Sequence, residues 1–467
     1  MLGLFGSLDL NSRALGVQQQ AIEVTGQNLA NVNNPAYARQ RLQVQTSLTL
    51  SSALGPQGTG VDAVGIQQVR DSVLDGQIQH ETSLGAYWQA QQTGLQYADA
   101  SLGETVSTQA SGTAGSATGL TNGLSELFNA FQGVATTPTS MDERKSLTTA
   151  AQSLSAQFNQ TDQRLSALHN SLNQNVTDGV ASANQLLDTI TGLNQQIAKA
   201  EAGGANANDV RDLRQQKLED LAKLVNVDTS TDGDGTLHLS INGQLLVSGG
   251  QALDHLQTYD AGGGQLLVRT SGAGTPLNLS GGSVQGNIEV RDGALATIRQ
   301  NINQLASQLI TQVNAAHSNG YNLQNGTGAA FFTGTTAGDI QVNAALAGDP
   351  SLIQASGVSG APGDKTVAKA LAALASQRQA GLNQQTFSDS YGQTVAGLGA
   401  ALSQANAQAG DQQTVQQMLQ NQRESVSGVS LDEEMANMLK YQKAFQASAR
   451  MVSTIDSMLT EVINMKR

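Results

Sequence analysis

The sequence predicts a mainly α fold with a β-rich inserted middle domain: an elongated, multi-domain chain in which terminal coiled-coil-forming helices flank a helical rod domain. The length of 467 residues suits about three domains. Aromatic residues make up only 3%, so Leu, Ala, Val and Ile must fill most of the core, which favours packed helices. Apolar residues recur every three or four positions in long stretches near both ends, whereas the middle alternates them around Gly-rich turns.

The N-terminal segment, about 32 residues long, has two lines of apolar residues, each at seven-residue intervals. One line is Leu8, Leu15, Ile22 and Leu29, and the other is Leu10, Val17 and Val24. At 100° per residue the lines lie about 200° apart, on nearly opposite faces of a helix. Packing partners are therefore expected on both sides. The helix should end near Val32, because Asn33, Asn34 and Pro35 follow.

The following residues predict a short excursion of β-structure and then a long helical region. Residues 39–50 and 61–69 partly alternate apolar and polar side chains and predict a hairpin. Helical spacing returns over about 70–110, and a Gly-rich tract at 107–119 predicts a flexible connection. Residues 120–226 predict long helices that form a rod-shaped bundle.

The middle of the chain predicts strands. Residues 236–250 alternate around Asn242-Gly243, which is a strong hairpin signal. The segments 265–272 (QLLVRTSG) and 286–293 (GNIEVRDG) also look like strands. A helix is then expected over about 291–317, a weak strand at 340–342, and two helical stretches at about 364–380 and 392–427.

The last helix, from Leu431 to near the C-terminus, has the most regular pattern. Ser430 and Glu433 form a capping box at its start. Sustained four–three spacing is typical of a coiled coil, so this helix requires a partner, and the N-terminal helix is the obvious one. The residues of its stripe that we expect at an assembly interface are Leu431, Met435, Met438, Phe445, Val452, Ile455, Met458 and Val462. The N-terminal residues expected there are Leu8, Leu15, Ile22, Leu29, Val17 and Val24.

These segments predict five consecutive regions. They are an N-terminal axial helix and connector (1–60), the first half of a helical rod domain (61–226), a β-rich outer domain that includes the helix 291–317 (227–350), the second half of the rod (351–428) and a C-terminal axial helix (429–467).

No pattern in the sequence predicts an enzyme, a cofactor site or a metal site. The chain has no Cys, and its five His residues lack metal-ligand spacing. Asp232-Gly233-Asp234-Gly235 is similar to the start of a calcium loop, but loop position 12 is Gly243 instead of Glu, so we interpret it as a turn. The net charge of −13 argues against nucleic acid, and no stretch is long and apolar enough to span a membrane.

The charge is unevenly distributed. Residues 1–50 carry three basic and two acidic side chains, and residues 431–467 carry five of each, so the negative charge lies between the ends.

Two terminal motifs resemble a known family. Asn28, Leu29, Ala30 and Asn31, followed by Pro35, Tyr37, Arg39 and Gln40, resemble the N-terminal signature of bacterial flagellar rod, hook and hook-associated proteins. Residues 427–458 (SGVSLDEEMANMLKYQKAFQASARMVSTIDSM) resemble the C-terminal signature of the same axial family. The Tyr37–Gln40 continuation and the blocks at 58–79 and 211–247 are most similar to the hook–filament junction group, the hook-associated protein 1 family.

The resemblance implies a structural, non-enzymatic role at the hook–filament junction, outside the cell. It implies export through the type III pathway without a cleaved signal, and terminal segments that become ordered only on assembly. The implied partners are further copies in a ring, the hook protein, the second junction protein and a cytoplasmic export chaperone. The chaperone is expected on the C-terminal helix, whose stripe includes Met435, Met438, Met451 and Met458.

Two alternatives remain open at this point. One is another axial protein: the second junction component, a rod protein or the hook subunit, the last being disfavoured by the long helices at 120–226. The other is a secreted enzyme or adhesin with flagellar-type ends, whose activity would lie in residues 227–350.

Overall fold

The computed structural model describes residues 3–52, 55–103, 119–232 and 235–465, and within them the chain is mainly helical, as predicted. The predicted flexible tract at 107–119 lies, except for Gly119, outside the described residues, as does the centre of the predicted turn at 232–235. The long helices are α1 (Leu4–Ala30), α2 (Ser72–Leu102), α3 (Leu120–Thr136), α4 (Met141–Glu201), α5 (Asn208–Leu224), α7 (Ala296–His317), α10 (Phe387–Ser427) and α11 (Leu431–Asn464). The short ones are α6 (Gly282–Glu289), α8 (Ala344–Gly348) and α9 (Thr366–Ala373).

Helix α4 contributes side chains to two apolar cores. Its 61 residues extend for about 90 Å at 1.5 Å per residue. Its buried apolar residues between Leu147 and Leu172 belong to a first core, which α3, α7, α9 and α10 share. Those between Val176 and Ile190 belong to a second core, which α5, α6 and the strands share. One helix therefore links two cores along its length, which makes this part of the fold elongated.

The strands of the middle region pack against the second core. Four strands form an antiparallel sheet in the order β5 (Asp228–Thr231), β6 (Leu237–Ile241), β7 (Gln244–Ser248) and β8 (Gln251–Ala252). Strands β9 (Leu256–Asp260) and β10 (Leu266–Thr270) form a separate antiparallel pair. The predicted hairpin is confirmed: Asn242 (φ 49°) and Gly243 (φ 76°) occupy the two left-handed positions between β6 and β7.

The prediction of strand-like structure at 286–293 is wrong. Helix α6 starts at Gly282, a π-helical turn covers Val290–Leu295, and α7 continues the helix to His317. The alternation of Ile288 and Val290 is misleading, because Val284, Ile288 and Leu295 lie on one buried helical face. Gly286 permits close packing on α2, since a Cβ there would lie 2.5 Å from the carbonyl oxygen of Tyr87.

The segment between α7 and α10 is loop-rich and fills the side of the first core. It contains the short antiparallel pair β11 (Phe332–Thr333) and β12 (Gln341–Val342) and the 3₁₀ turns Pro350–Leu352 and Ala380–Leu382. Helix α10 begins at Phe387, earlier than the predicted 392, and α9 ends at Ala373, before the predicted 380.

The two terminal helices pack along each other, as predicted, and an antiparallel ribbon covers part of α1. Strand β1 (Gln40–Thr46) pairs with β4 (Val61–Gln68), and β2 (Thr49–Ser52) pairs with β3 (Gly55–Gly58). The predicted border at residue 60 falls inside this ribbon. The division into five regions otherwise remains a prediction. Within the described residues, no helix is both long and apolar enough to cross a membrane.

Candidate assembly site at the joined chain ends

Asn28 lies at the centre of a buried polar cluster that joins the two terminal signatures. Its amide nitrogen donates to the carbonyl oxygen of Gln40 (2.9 Å) and to Oε2 of Glu434 in α11 (3.1 Å). Its amide oxygen accepts from the Tyr37 hydroxyl (2.8 Å) and from the Gln40 backbone N–H (2.9 Å). The two donor hydrogens and both acceptor sites of a carboxamide are thus used, which an apolar or acidic residue at position 28 would not achieve.

Arg39 completes the junction between the two signatures. Its Nη2 lies 2.5 Å and its Nε 2.8 Å from Oε1 of Glu434, and its Nη1 lies 2.7 Å from Oε2 of Glu433. The Glu434 side chain is buried, with 3% exposed, whereas 62% of the Glu433 side chain is exposed. We call Asn28, Tyr37, Arg39, Gln40 and Glu434 the terminal latch.

Burial and nearby charges determine the electrostatics of the latch. Burial lowers the pKa of Arg39, but Glu433 and Glu434 outweigh it and raise the pKa overall. Burial, together with Asp209, Asp212 and Glu434, raises the pKa of Tyr37 well above its ordinary value. The guanidinium therefore stays charged, and the phenol stays protonated as a hydrogen-bond donor, at any physiological pH.

The remaining signature residues support the turn between α1 and β1. Asn31 ends α1, and its side chain donates to the carbonyl oxygen of Gln27 (3.0 Å). Leu29 is half-buried, while Ala30 and Pro35 are exposed. The helix ends at Ala30, close to the expected Val32.

The two apolar lines of α1 are covered to different extents. Val17 and Val24 are buried. The residues of the other line, Leu8, Leu15, Ile22 and Leu29, are all half-buried. A two-helix hairpin is expected to leave one line exposed, but the ribbon supplies a second partner: a Cβ at Gly60 would lie 3.5 Å from Leu10, and Arg13 donates to Ser47 (3.0 Å).

The predicted stripe of α11 divides into a covered and an exposed part. Ile455 is buried, and Met438, Phe445 and Val452 are half-buried. Leu431, Met435, Met458 and Val462 are exposed, at 46%, 50%, 52% and 54%. At 100° per residue, the exposed residues lie to either side of the covered line. The helix therefore uses part of its apolar surface within the chain and leaves both flanks open.

Sequence reasoning missed some members of this surface and one member of the latch. Phe5, Leu439 and Ile463 are also exposed, and so is Met465, which continues the predicted stripe three residues after Val462. Glu434 lies in the first turn of α11, where a carboxylate stabilises the helix dipole, so its position has a sufficient local explanation. Only its place within the C-terminal signature could have indicated a buried partner.

The described residues contain no group of three or more acidic or His side chains placed to hold a metal ion. His238 pairs with Asp232 (2.9 Å) and His255 with Asp188 (2.9 Å), both near the surface. His317 is fully buried: its Nδ1 lies 2.8 Å from the carbonyl oxygen of Ala329, and its Nε2 accepts from the Gln354 N–H (2.9 Å). Burial lowers its pKa to about 4, so it is a neutral core residue.

Paired terminal helices joined to an elongated helical body define a structural subunit with apolar surface available at its ends. Comparisons with known proteins agree. The family model described as flagellar hook-associated protein FlgK helical domain matches residues 111–332, and the one described as flagellar basal body rod FlgEFG protein C-terminal matches residues 415–465.

Full-length relatives carry one name. The flagellar hook-associated protein 1 of Bacillus subtilis (strain 168) is 26% identical over 99% of both chains. Those of Salmonella typhimurium and Escherichia coli (strain K12) are 24% and 23% identical, each over 97% of this chain and 98% of the relative. The flagellar hook junction protein FlgK from Burkholderia pseudomallei shares the fold, with a TM-score of 0.64 and 15% identity over 75% of this chain and 100% of the solved one. The chain is thus similar to flagellar hook-associated protein 1 over nearly its full length, and it shares the fold of a solved FlgK structure.

Proposed function

We propose that this protein is a structural subunit of the bacterial flagellum that forms the junction between hook and filament, and that it has no enzymatic activity. The observation that carries the proposal is the terminal latch together with the apolar flanks of α11: residues from both signatures join inside one chain while Met435, Met458 and Val462 stay open. Full-length similarity to proteins named for this role supports it.

Assembly proceeds through the terminal helices. The exposed flanks of α11 and the half-buried line of α1 pack against neighbouring copies in a ring-like arrangement. Exposed apolar side chains grouped along one helix favour protein contacts over solvent. The near-neutral charge of both ends permits many copies to crowd around one axis, and the acidic body faces outward.

The hook protein and the second junction protein are the proposed neighbours along the axis. The protein is exported unfolded by the type III pathway without a cleaved signal and acts outside the cell. A cytoplasmic export chaperone binds the C-terminal helix before export. The exposed Met435, Met451 and Met458 offer it a flexible, polarizable surface.

In an isolated copy both terminal helices pack with little burial and open more readily than the body, and assembly completes their ordering. Most of α11 is exposed or half-buried, so an isolated copy gains little burial to offset the loss of chain entropy. Limited proteolysis of the monomer is then expected to remove both ends early and to leave a stable product covering about 72–427. Protected termini in the monomer would contradict coupled folding, while leaving the junction role unaffected.

Deletion of residues 431–467 tests the junction role. We expect hooks without filaments, with flagellin released into the medium. Normal filaments in the deletion strain would contradict the proposal. A strain without hooks would instead indicate a rod or hook subunit.

A further inference from the structure

The two chain ends form a unit, and the chain crosses between this unit and the rest of the protein twice. We define the terminal unit as residues 3–68 and 431–465, which contain α1, the ribbon and α11, and the body as residues 72–427. The chain passes between them at residues 69–71 and again at residues 428–430. Arg39 holds both crossings: its N–H donates to the carbonyl oxygen of Ser427 (2.9 Å), and its carbonyl oxygen accepts from the Val69 N–H (2.8 Å).

Beyond these crossings, the terminal unit contacts the body through polar groups at the start of α5. Asn206 and Asn208 each donate to the Ile66 carbonyl oxygen (2.9 Å), and Gln40 donates to Asp209 (2.9 Å).

Asp212 makes three further hydrogen bonds, more than any of these side chains makes across the contact. Oδ2 of Asp212 accepts from the Ala38 N–H (3.2 Å). Its Oδ1 accepts from Nε2 of Gln68 (2.8 Å) and from Nη2 of Arg70 (2.8 Å). One carboxylate thus binds the start of the ribbon, its end and the first crossing.

The same contact lacks an apolar core. None of the three apolar core clusters found among the described residues contains a side chain from the terminal unit. A cleft of about 1050 Å³ lies beside the contact, lined by residues 31–39 on one side and by α5 and the end of α10 on the other. Nε of Arg70 is buried without a hydrogen-bond partner within the described part of the chain. Polar, incompletely satisfied contacts of this kind permit relative motion of two units.

We infer that residues 69–71 and 428–430 form a hinge between the terminal unit and the body, and that Asp212 is the positioning residue that sets the angle between them. With the Asp212 hydrogen bonds formed, the unit is held in the arrangement described above. With them broken, it rotates about the two crossings into or away from the cleft. Hinges of this type concentrate the backbone change in a few residues between packed elements.

Distance measurements between spin labels test the hinge in the full-length protein. The chain has no Cys, so two substitutions, Ala200→Cys in α4 and Gln446→Cys in α11, place labels at exposed sites across the joint. Asp212→Ala is expected to shift and broaden the distance distribution. Asp220→Ala is the matched control, because its carboxylate pairs with Lys217 and Lys223 of the same helix. Measurements at pH 8 keep Asp212 ionised, since burial raises its pKa to about 6.

A second label pair separates hinge motion from damage to the body. Gln96→Cys with Ala200→Cys joins exposed sites of α2 and α4, and this distance should not change in Asp212→Ala. An unchanged distance across the joint overturns the inference, and so does a change in both pairs. Asp212→Asn, which keeps the side-chain volume and one acceptor oxygen, is expected to give an intermediate distribution and covers the case in which Asp212→Ala fails to fold. The result does not depend on the junction role.

Discussion

Glu433 and Glu434 are neighbouring residues that pair with the same guanidinium in very different surroundings. Both carboxylates lie within 2.7 Å of Arg39, yet one is mostly exposed and the other is buried against Asn28. A buried partner that is lost leaves an uncompensated charge, whereas an exposed ion pair contributes little. The latch therefore depends on one of two adjacent acids.

We predict that Glu434→Ala destabilises the packing of α11 on α1 by about 3 kcal/mol, because Arg39 and the Asn28 amide lose a buried acceptor. Hydrogen exchange of α11 amides should accelerate about 100-fold. Glu433→Ala removes the exposed partner and should cost less than about 1 kcal/mol. Equal effects of the two substitutions would contradict the assignment of Glu434 to the latch.

His317 gives the first core a defined pH dependence. Its pKa is about 4 in the folded protein, because of burial, against an ordinary value of about 6.5. The depressed value means that the contribution to stability is complete above pH 6.5 and is lost as the pH falls from about 6.5 to 4, up to about 3 kcal/mol. Unfolding by urea at several pH values measures the slope.

His317→Gln should remove this part of the pH dependence. His255→Gln, at a partly exposed ring paired with Asp188, is the control and should keep the parental slope. An undiminished slope in His317→Gln would show that other groups cause the acid sensitivity.

At the scale of single residues, sequence reasoning located the latch through the N-terminal signature and missed its acidic partner. Asn28, Tyr37 and Arg39 are recognisable as a motif, but the bonds they form join positions 406 and 395 residues apart. No periodicity encodes such a pair. Acidic residues in the first turn of α11 also stabilise the helix dipole, which is a sufficient local explanation for Glu434. Its burial therefore becomes visible only once α11 lies against α1.

Secondary-structure elements were predictable where their local signals were unambiguous. Asn242-Gly243 fixes the β6–β7 hairpin because both residues tolerate positive φ. The strand prediction for 286–293 failed because this helix is buried on more than one side, by α2, α4 and α5. On such a helix two apolar residues can stand two positions apart by chance. A short apolar run cannot distinguish a strand from a buried helix.

Two glycine substitutions should act in opposite directions. Gly243→Ala forces a side chain into positive φ in the hairpin turn and is expected to destabilise the protein by about 1 kcal/mol. Gly192→Ala lies within α4, where a Cβ meets nothing within 4 Å, and should stabilise it by about 0.5–1 kcal/mol. Thermal unfolding measures both. Destabilisation by Gly192→Ala would contradict the open environment found on this face of α4.

At the scale of the whole molecule, α4 unites two cores while the terminal unit stays outside both. The body can therefore fold by burying its own apolar side chains, and the ends remain free to form contacts elsewhere. The overall architecture followed from helical periodicity and Gly-rich turns. The relation between ends and body did not, because it rests on scattered polar residues such as Asp212 and Gln68, whose types are common on any surface.

The exposed flank of α11 offers a direct test of assembly that leaves the subunit folded. Met458 is 52% exposed and lies outside the covered line of the helix, so Met458→Lys should not disturb the monomer. It places a charge on the flank that we propose packs against a neighbouring copy. We expect filaments to be lost or detached in cells, with unchanged circular dichroism of the purified protein. Ser457→Lys is the charge-matched control at an adjacent, exposed polar position. Motility should be normal in that strain, since Ser457 lies about 100° around the helix from Met458. Normal filaments on hooks carrying Met458→Lys would exclude this flank from the assembly interface, and equal defects in both variants would point to the added charge itself.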